Sequence, residues 1–89
     1  MEPKIYEYKV SFDKAESLIG ELKKPGIKEP KLWSEGENGF TVIFPYFATK
    51  IFVSPSCGQD SLRLVQIVLE ESQFDNQKFA EIFINYLNE

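Results

Sequence analysis

The sequence predicts an α+β domain over residues 1–89, with two helices packed on a mainly antiparallel sheet of about five strands, in the order β-α-β-β-β-β-α. Three observations carry this. Apolar residues alternate with polar ones near the N-terminus, they recur at helical spacing over 15–22 and 79–87, and Asn38-Gly39 separates two apolar arms.

The first strand is Ile5 to Val10, where Tyr6, Tyr8 and Val10 face one way and Ile5, Glu7 and Lys9 the other. The spacing of Ala15, Leu18, Ile19 and Leu22 then predicts a helix. Asp13 is its expected N-cap, with Glu16 completing a capping box, Lys23 and Lys24 suiting its negative end, and Pro25-Gly26 stopping it. A hairpin follows. With Asn38 and Gly39 as the two loop residues of a type I′ turn, the arms run 31–37 and 40–44, and Glu37, Glu35 and Trp33 oppose Phe40, Val42 and Phe44. Pro45 to Thr49 reads as a turn, because proline cannot donate to a central ladder. Lys50 to Ser54 resumes as a strand, Pro55 to Asp60 is turn-forming, and Leu62 to Leu69 is a second branched aliphatic strand. Phe79, Ile82, Phe83, Tyr86 and Leu87 mark the last helix, with Asp75 as N-cap and Phe74 placed to staple against Phe79. This element order is similar to that of domains related to the TATA-binding protein repeat, a resemblance of order that no residue motif accompanies.

Composition narrows the function. The chain has no histidine and a single cysteine, Cys57. A Ser-His-Asp or Cys-His pair cannot be built, and neither can a four-ligand zinc site. A non-enzyme without cofactor or metal is therefore expected. Cys57 lies in a turn where only Arg63 is near in sequence to lower a thiol pKa, so it reads as a small turn residue. Glu35 with Glu37, and Glu70 with Glu71 and Asp75, are the carboxylate pairs. The first abuts the hairpin turn, and the second suits the positive end of the last helix. Glycines form no phosphate loop, and Lys23, Lys24, Lys28 and Lys31 are the one basic cluster.

Net charge is −4. Residues 51–89 hold all of the excess, with Arg63 and Lys78 against six acids. A phosphate backbone would repel such a surface, so direct nucleic-acid binding is not expected. No apolar run approaches the ~18 residues of a membrane span. The N-terminus lacks a signal-peptide core, and one cysteine forms no internal disulfide, so a cytoplasmic protein is expected.

The remaining candidate is a surface. If Phe40, Val42 and Phe44 face the helices, Thr41 and Ile43 face away, and the last two strands are apolar on both faces. A sheet with helices on one side ordinarily has a polar outer face. The expectation is thus a protein-binding module, such as a small inhibitor, immunity-type protein, adaptor or chaperone. Its partner is another protein, a basic one being favoured by the chain's acidity, or a second copy in a homodimer. The candidate contact residues are Trp33, Ile43, Tyr46, Phe47, Ile51 and Val53. One alternative is a small-ligand binder or weak enzyme with a pocket between sheet and helices, polarised by Tyr6, Tyr8 and Glu35 or Glu37. Another is an acidic mimic of nucleic acid.

Overall fold

The structure, a computed structural model, describes residues 3–26, 30–55, 62–71 and 74–89. Its elements are β1 (Lys4–Ser11), α1 (Phe12–Lys23), β2 (Leu32–Gly36), β3 (Gly39–Phe44), a 3₁₀ turn (Pro45–Phe47), β4 (Thr49–Val53), β5 (Leu62–Leu69) and α2 (Phe74–Leu87). The five strands form one sheet in the order β1-β5-β4-β3-β2, with every neighbouring pair antiparallel. This is the α+β architecture that the residue patterns predict.

The length of α1 matches the strand order. Three strand-to-strand connections join sheet neighbours, so β2 through β5 form a meander that ends beside β1. The chain must then pass from β1, at one edge, to β2 at the other. Twelve helical residues rise about 18 Å, close to the roughly 19 Å that four strand spacings cover. α1 makes that crossing over one sheet face. At its start Glu16 reaches Arg63 of β5 at 2.6 Å, and at its end Lys23 reaches Glu35 of β2 at 2.9 Å.

Both helices lie on that face. Ala15, Leu18, Ile19 and Leu22 of α1 and Phe79, Ala80, Phe83 and Leu87 of α2 are buried in one cluster with the inward residues of the sheet. Phe79 sits among rings, edge-on to Phe44 at 4.8 Å and Phe83 at 5.2 Å, and stacked on Phe47 at 4.2 Å. Arg63 is buried beneath the first turns of α1, with Nε donating to the Ser54 carbonyl at 2.8 Å and its guanidinium 5.7 Å from the Phe12 ring.

Three local expectations are corrected. The N-cap of α1 is Ser11, whose hydroxyl accepts from the Lys14 N–H, because strand runs into helix with no intervening loop. Asp13 sits in the first turn, and Glu16 is engaged by Arg63 instead of completing a capping box. The hairpin closes one residue earlier than expected. Gly36 opposes Gly39, Glu35 opposes Phe40 and Trp33 opposes Val42. The turn residues are Glu37 and Asn38, and Asn38 is not at positive φ, so no type I′ turn forms. Gly39 takes the positive φ, +101°, directly after the turn, the pattern of hairpins that place glycine behind it. A Cβ there would stand 2.3 Å from the Val53 carbonyl oxygen. The register moves by two residues, an even number, so each side chain keeps its face. Asp75 lies inside the first turn of α2 rather than capping it. The side chain of Phe74, and with it the proposed staple, lies outside the described residues.

Candidate functional site

The register assembles the outer sheet face in rows. Across β1, β5, β4, β3 and β2 the first row reads Ile5, Val68, Lys50, Ile43, Leu32, and the second reads Glu7, Gln66, Phe52, Thr41, Ser34. Lys9 beside Leu64 and Ser11 beside Leu62 complete it. Ile5 (59%) and Leu32 (66%) are strongly exposed at the two edges, while Ile43, Phe52, Leu64 and Val68 are half-buried. Among the described residues no helix covers this side. The apolar character of β4 and β5 on both faces therefore leaves aliphatic and aromatic surface in water, where a one-sided sheet would ordinarily carry polar groups.

Charge on this face is nearly balanced. Lys50 stands mid-row between Val68 and Ile43, and its ammonium pairs with Glu70 at 2.6 Å beyond the strand end. Its methylene stem adds to the apolar row, while the exposed ion pair contributes little to stability. Glu70 is thus drawn toward the sheet face rather than toward the start of α2, whose buried Asn76 donates instead to the Glu71 carbonyl at 2.9 Å. Among the described residues Glu7 and Lys9 are the other charges within the rows of this face.

The upper margin is the turn Pro45–Phe47. Its geometry is fixed by Ala48 in the left-handed region, φ +46°, by Thr49 Oγ1 donating to the Phe47 carbonyl at 2.7 Å, and by the Glu70 N–H donating to the Ala48 carbonyl at 2.8 Å. Phe47 turns inward onto Phe79, which leaves Tyr46 77% exposed. A hollow of about 320 Å³ joins Tyr46 to Ile43, with Lys50, Glu70 and Glu71 in its wall.

The six sequence-derived contact residues do not share one surface. Ile43 and Tyr46 come together at this hollow. Ile51 and Val53 face the helices and are core residues, 0% and 1% exposed. The outward residue of β4 is Phe52. Phe47 is a partly buried packing residue under the turn. Trp33 lies on the helix-facing side of β2, half-exposed, stacked on Phe40 at 5.9 Å with the Lys23 ammonium 5.4 Å from its ring. Leu32 and Ile5 are outer-face residues not singled out from sequence. The alternation of each strand pairs Ile5 with Glu7 and Lys9, but only the strand order shows that Ile5 and Leu32 end the same row.

The other candidates are dispersed. A groove of about 510 Å³ lies between α1 and α2, with Leu18, Glu21, Phe79, Phe83 and Tyr86 in its walls. It does not contain the polar groups expected of a ligand pocket, since Tyr6 and Tyr8 pack beside the core on β1, Glu35 pairs with Lys23, and Glu37 is in the hairpin turn. The basic cluster is consumed locally: Lys24 pairs with Glu21 at 2.9 Å, and Lys31 donates to the Lys24 carbonyl. The hydrogen bond and charge of Glu21 raise the Lys24 pKa above its ordinary value. Lys28 and Cys57 lie outside the described residues. Among those described, no group of three or more Cys, Asp or Glu side chains could hold a metal ion, and no helix is long and apolar enough to cross a membrane. No protein-family model, curated protein or solved structure matches the chain to a significant degree.

Proposed function

We propose that this chain is a non-catalytic protein-interaction module, an inhibitor, adaptor or chaperone of the cytoplasm, which docks another protein on its outer sheet face. The observation that carries this reading is the row Ile5, Val68, Ile43 and Leu32, with Phe52 beside it, on a face that no described element covers. Tyr46 at the margin supplies an amphipathic anchor of the type enriched in binding hot spots. A projected footprint of roughly 19 Å by 20 Å is about half of the ~800 Å² per partner typical of stable interfaces, which favours an exchangeable complex. The net charge of −4 steers association toward a partner with a basic rim, through on-rate more than affinity.

Affinity capture with the wild-type chain and three variants as baits tests the reading. A partner held by the wild-type chain is lost with Ile43→Glu and with Phe52→Glu, and is kept with Ile82→Glu, which alters an exposed residue of α2 on the opposite side. Equal capture by all of them removes the outer face from the function. A second reading, a binder of small apolar ligands, rests on the groove between the helices, whose volume falls in the range of ligand sites. It predicts a thermal shift with a ligand that Phe83→Leu weakens and Ile43→Glu does not.

A further inference from the structure

We propose that β1 is a pairing edge for a second copy of this chain, two β1 strands joining antiparallel about a two-fold axis at Tyr8 so that two five-stranded halves become one continuous sheet. The inference stands on β1 alone and goes beyond the use of the outer face. β1 ends the strand order and pairs only with β5, so its outer edge carries unpaired backbone donors and acceptors among the described residues. It is eight residues long, whereas the opposite edge, β2, has five.

Symmetry restricts the register. Directly opposed residues of an antiparallel pair point to the same face, so a two-fold axis must pass through a residue position and the paired numbers must sum to an even value. Two registers give the longest overlap. Centring on Glu7 sets that carboxylate against its own copy, a destabilising contact. Centring on Tyr8 sets Glu7 against Lys9 of the second copy, twice, on the outer face. On the helix side the same register sets Tyr6 against Val10 and Tyr8 against Tyr8. Both tyrosines are only partly buried, packed on the core along one side with the strand's free edge beside them. Lysines on an edge strand ordinarily guard it against pairing. Here Glu7 stands two residues from Lys9 on the same face, and that spacing makes the guard complementary to itself. The joined sheet would set two outer faces side by side, doubling the footprint of a docking surface that is small alone.

The test uses the full chain with Cys57→Ser, adding one cysteine at a time. Across a directly opposed pair the Cβ atoms fall within or close to disulfide reach, and across a diagonal pair they do not. Under mild oxidation Tyr8→Cys is expected to cross-link to itself into a species of twice 10.3 kDa, well ahead of Glu7→Cys or Lys9→Cys. In the uncross-linked protein, light scattering is expected to show a dimer whose dissociation constant rises about ten-fold or more with Glu7→Lys or Lys9→Glu and returns to within about three-fold of wild type when both are combined. Ile43→Glu is expected to leave the dimer unchanged, so failure of the docking face and failure of the edge are read separately. A monomer at every concentration, cross-linking of Glu7→Cys as fast as Tyr8→Cys, or a double charge reversal that stays dissociated would each overturn the proposal.

Discussion

Ile51 and Phe52 are neighbours on β4 with opposite fates, and truncating each in turn measures whether the sheet has one covered face. Ile51 is fully buried between Val42 and Ile67 and faces both helices' apolar stripes. Replacing it with Ala removes three carbons, about 2.4 kcal/mol of transfer free energy at ~0.8 per methylene. The cavity left in a packed interior brings the total to about 3 to 4 kcal/mol. Phe52, opposed to Thr41 and Gln66, gives up only partly buried area, and water fills the space it vacates. Phe52→Ala should cost about 1 kcal/mol. Both changes put Ala in the same central strand, so the difference in strand propensity is small and the gap of about 2 to 3 kcal/mol reports the two faces. Urea unfolding followed by circular dichroism, with equal m-values, reads it directly. A chain of this size has roughly 4 to 13 kcal/mol in total, so the contrast is large. Losses equal to within about 1 kcal/mol would refute a sheet packed on one side only.

Other substitutions follow from the same packing. Phe79→Ala removes the ring that contacts Phe44, Phe47 and Phe83 and should cost about 3 to 5 kcal/mol, against about 1 to 2 for partly buried Phe47→Ala, both by denaturant unfolding. Gly39→Ala places a Cβ 2.3 Å from a backbone oxygen at positive φ and should cost about 2 to 4 kcal/mol, with loss of hairpin amide protection in hydrogen exchange. Ala48→Gly relieves a left-handed alanine and should raise stability by up to about 1 kcal/mol, seen as a higher melting temperature.

How far the residues alone disclose this molecule differs from element to element. Both helices are legible from apolar residues at helical spacing: Ala15, Leu18, Ile19 and Leu22 all bury, and of the second stripe Phe79, Phe83 and Leu87 bury while Ile82 is exposed and Ala80 takes a core position. The first strand is legible from its alternation, the hairpin from Asn38-Gly39 and the last strand from its run of branched aliphatics, but none of these says which of a strand's two sets of side chains is inward. For β4 that choice depends on how many residues the connection from Phe44 to Thr49 takes up, which the 3₁₀ turn and left-handed Ala48 decide. Ile51 and Val53 are therefore core although their apolar character alone suits a surface equally well. Asn38-Gly39 marks a hairpin in either of two turn geometries, and the contact of Gly39 with Val53 on the next strand is invisible locally. The strand order was not legible at all, since it rests on the reach of α1 across the sheet, and with it went the recognition that Ile5 and Leu32 bound the same face.

Solvent access to the two sheet faces in the isolated chain tests the central claim most directly. With methyl-labelled protein and a soluble paramagnetic agent, an open outer face predicts strong relaxation of Ile5, Ile43 and Val68 and little effect on Ile51, Val65 and Ile67, including in a dimer joined through β1. Protection of Ile43 and Val68 equal to that of Ile51 would mean the outer face is already covered, and would contradict a surface held open for a partner.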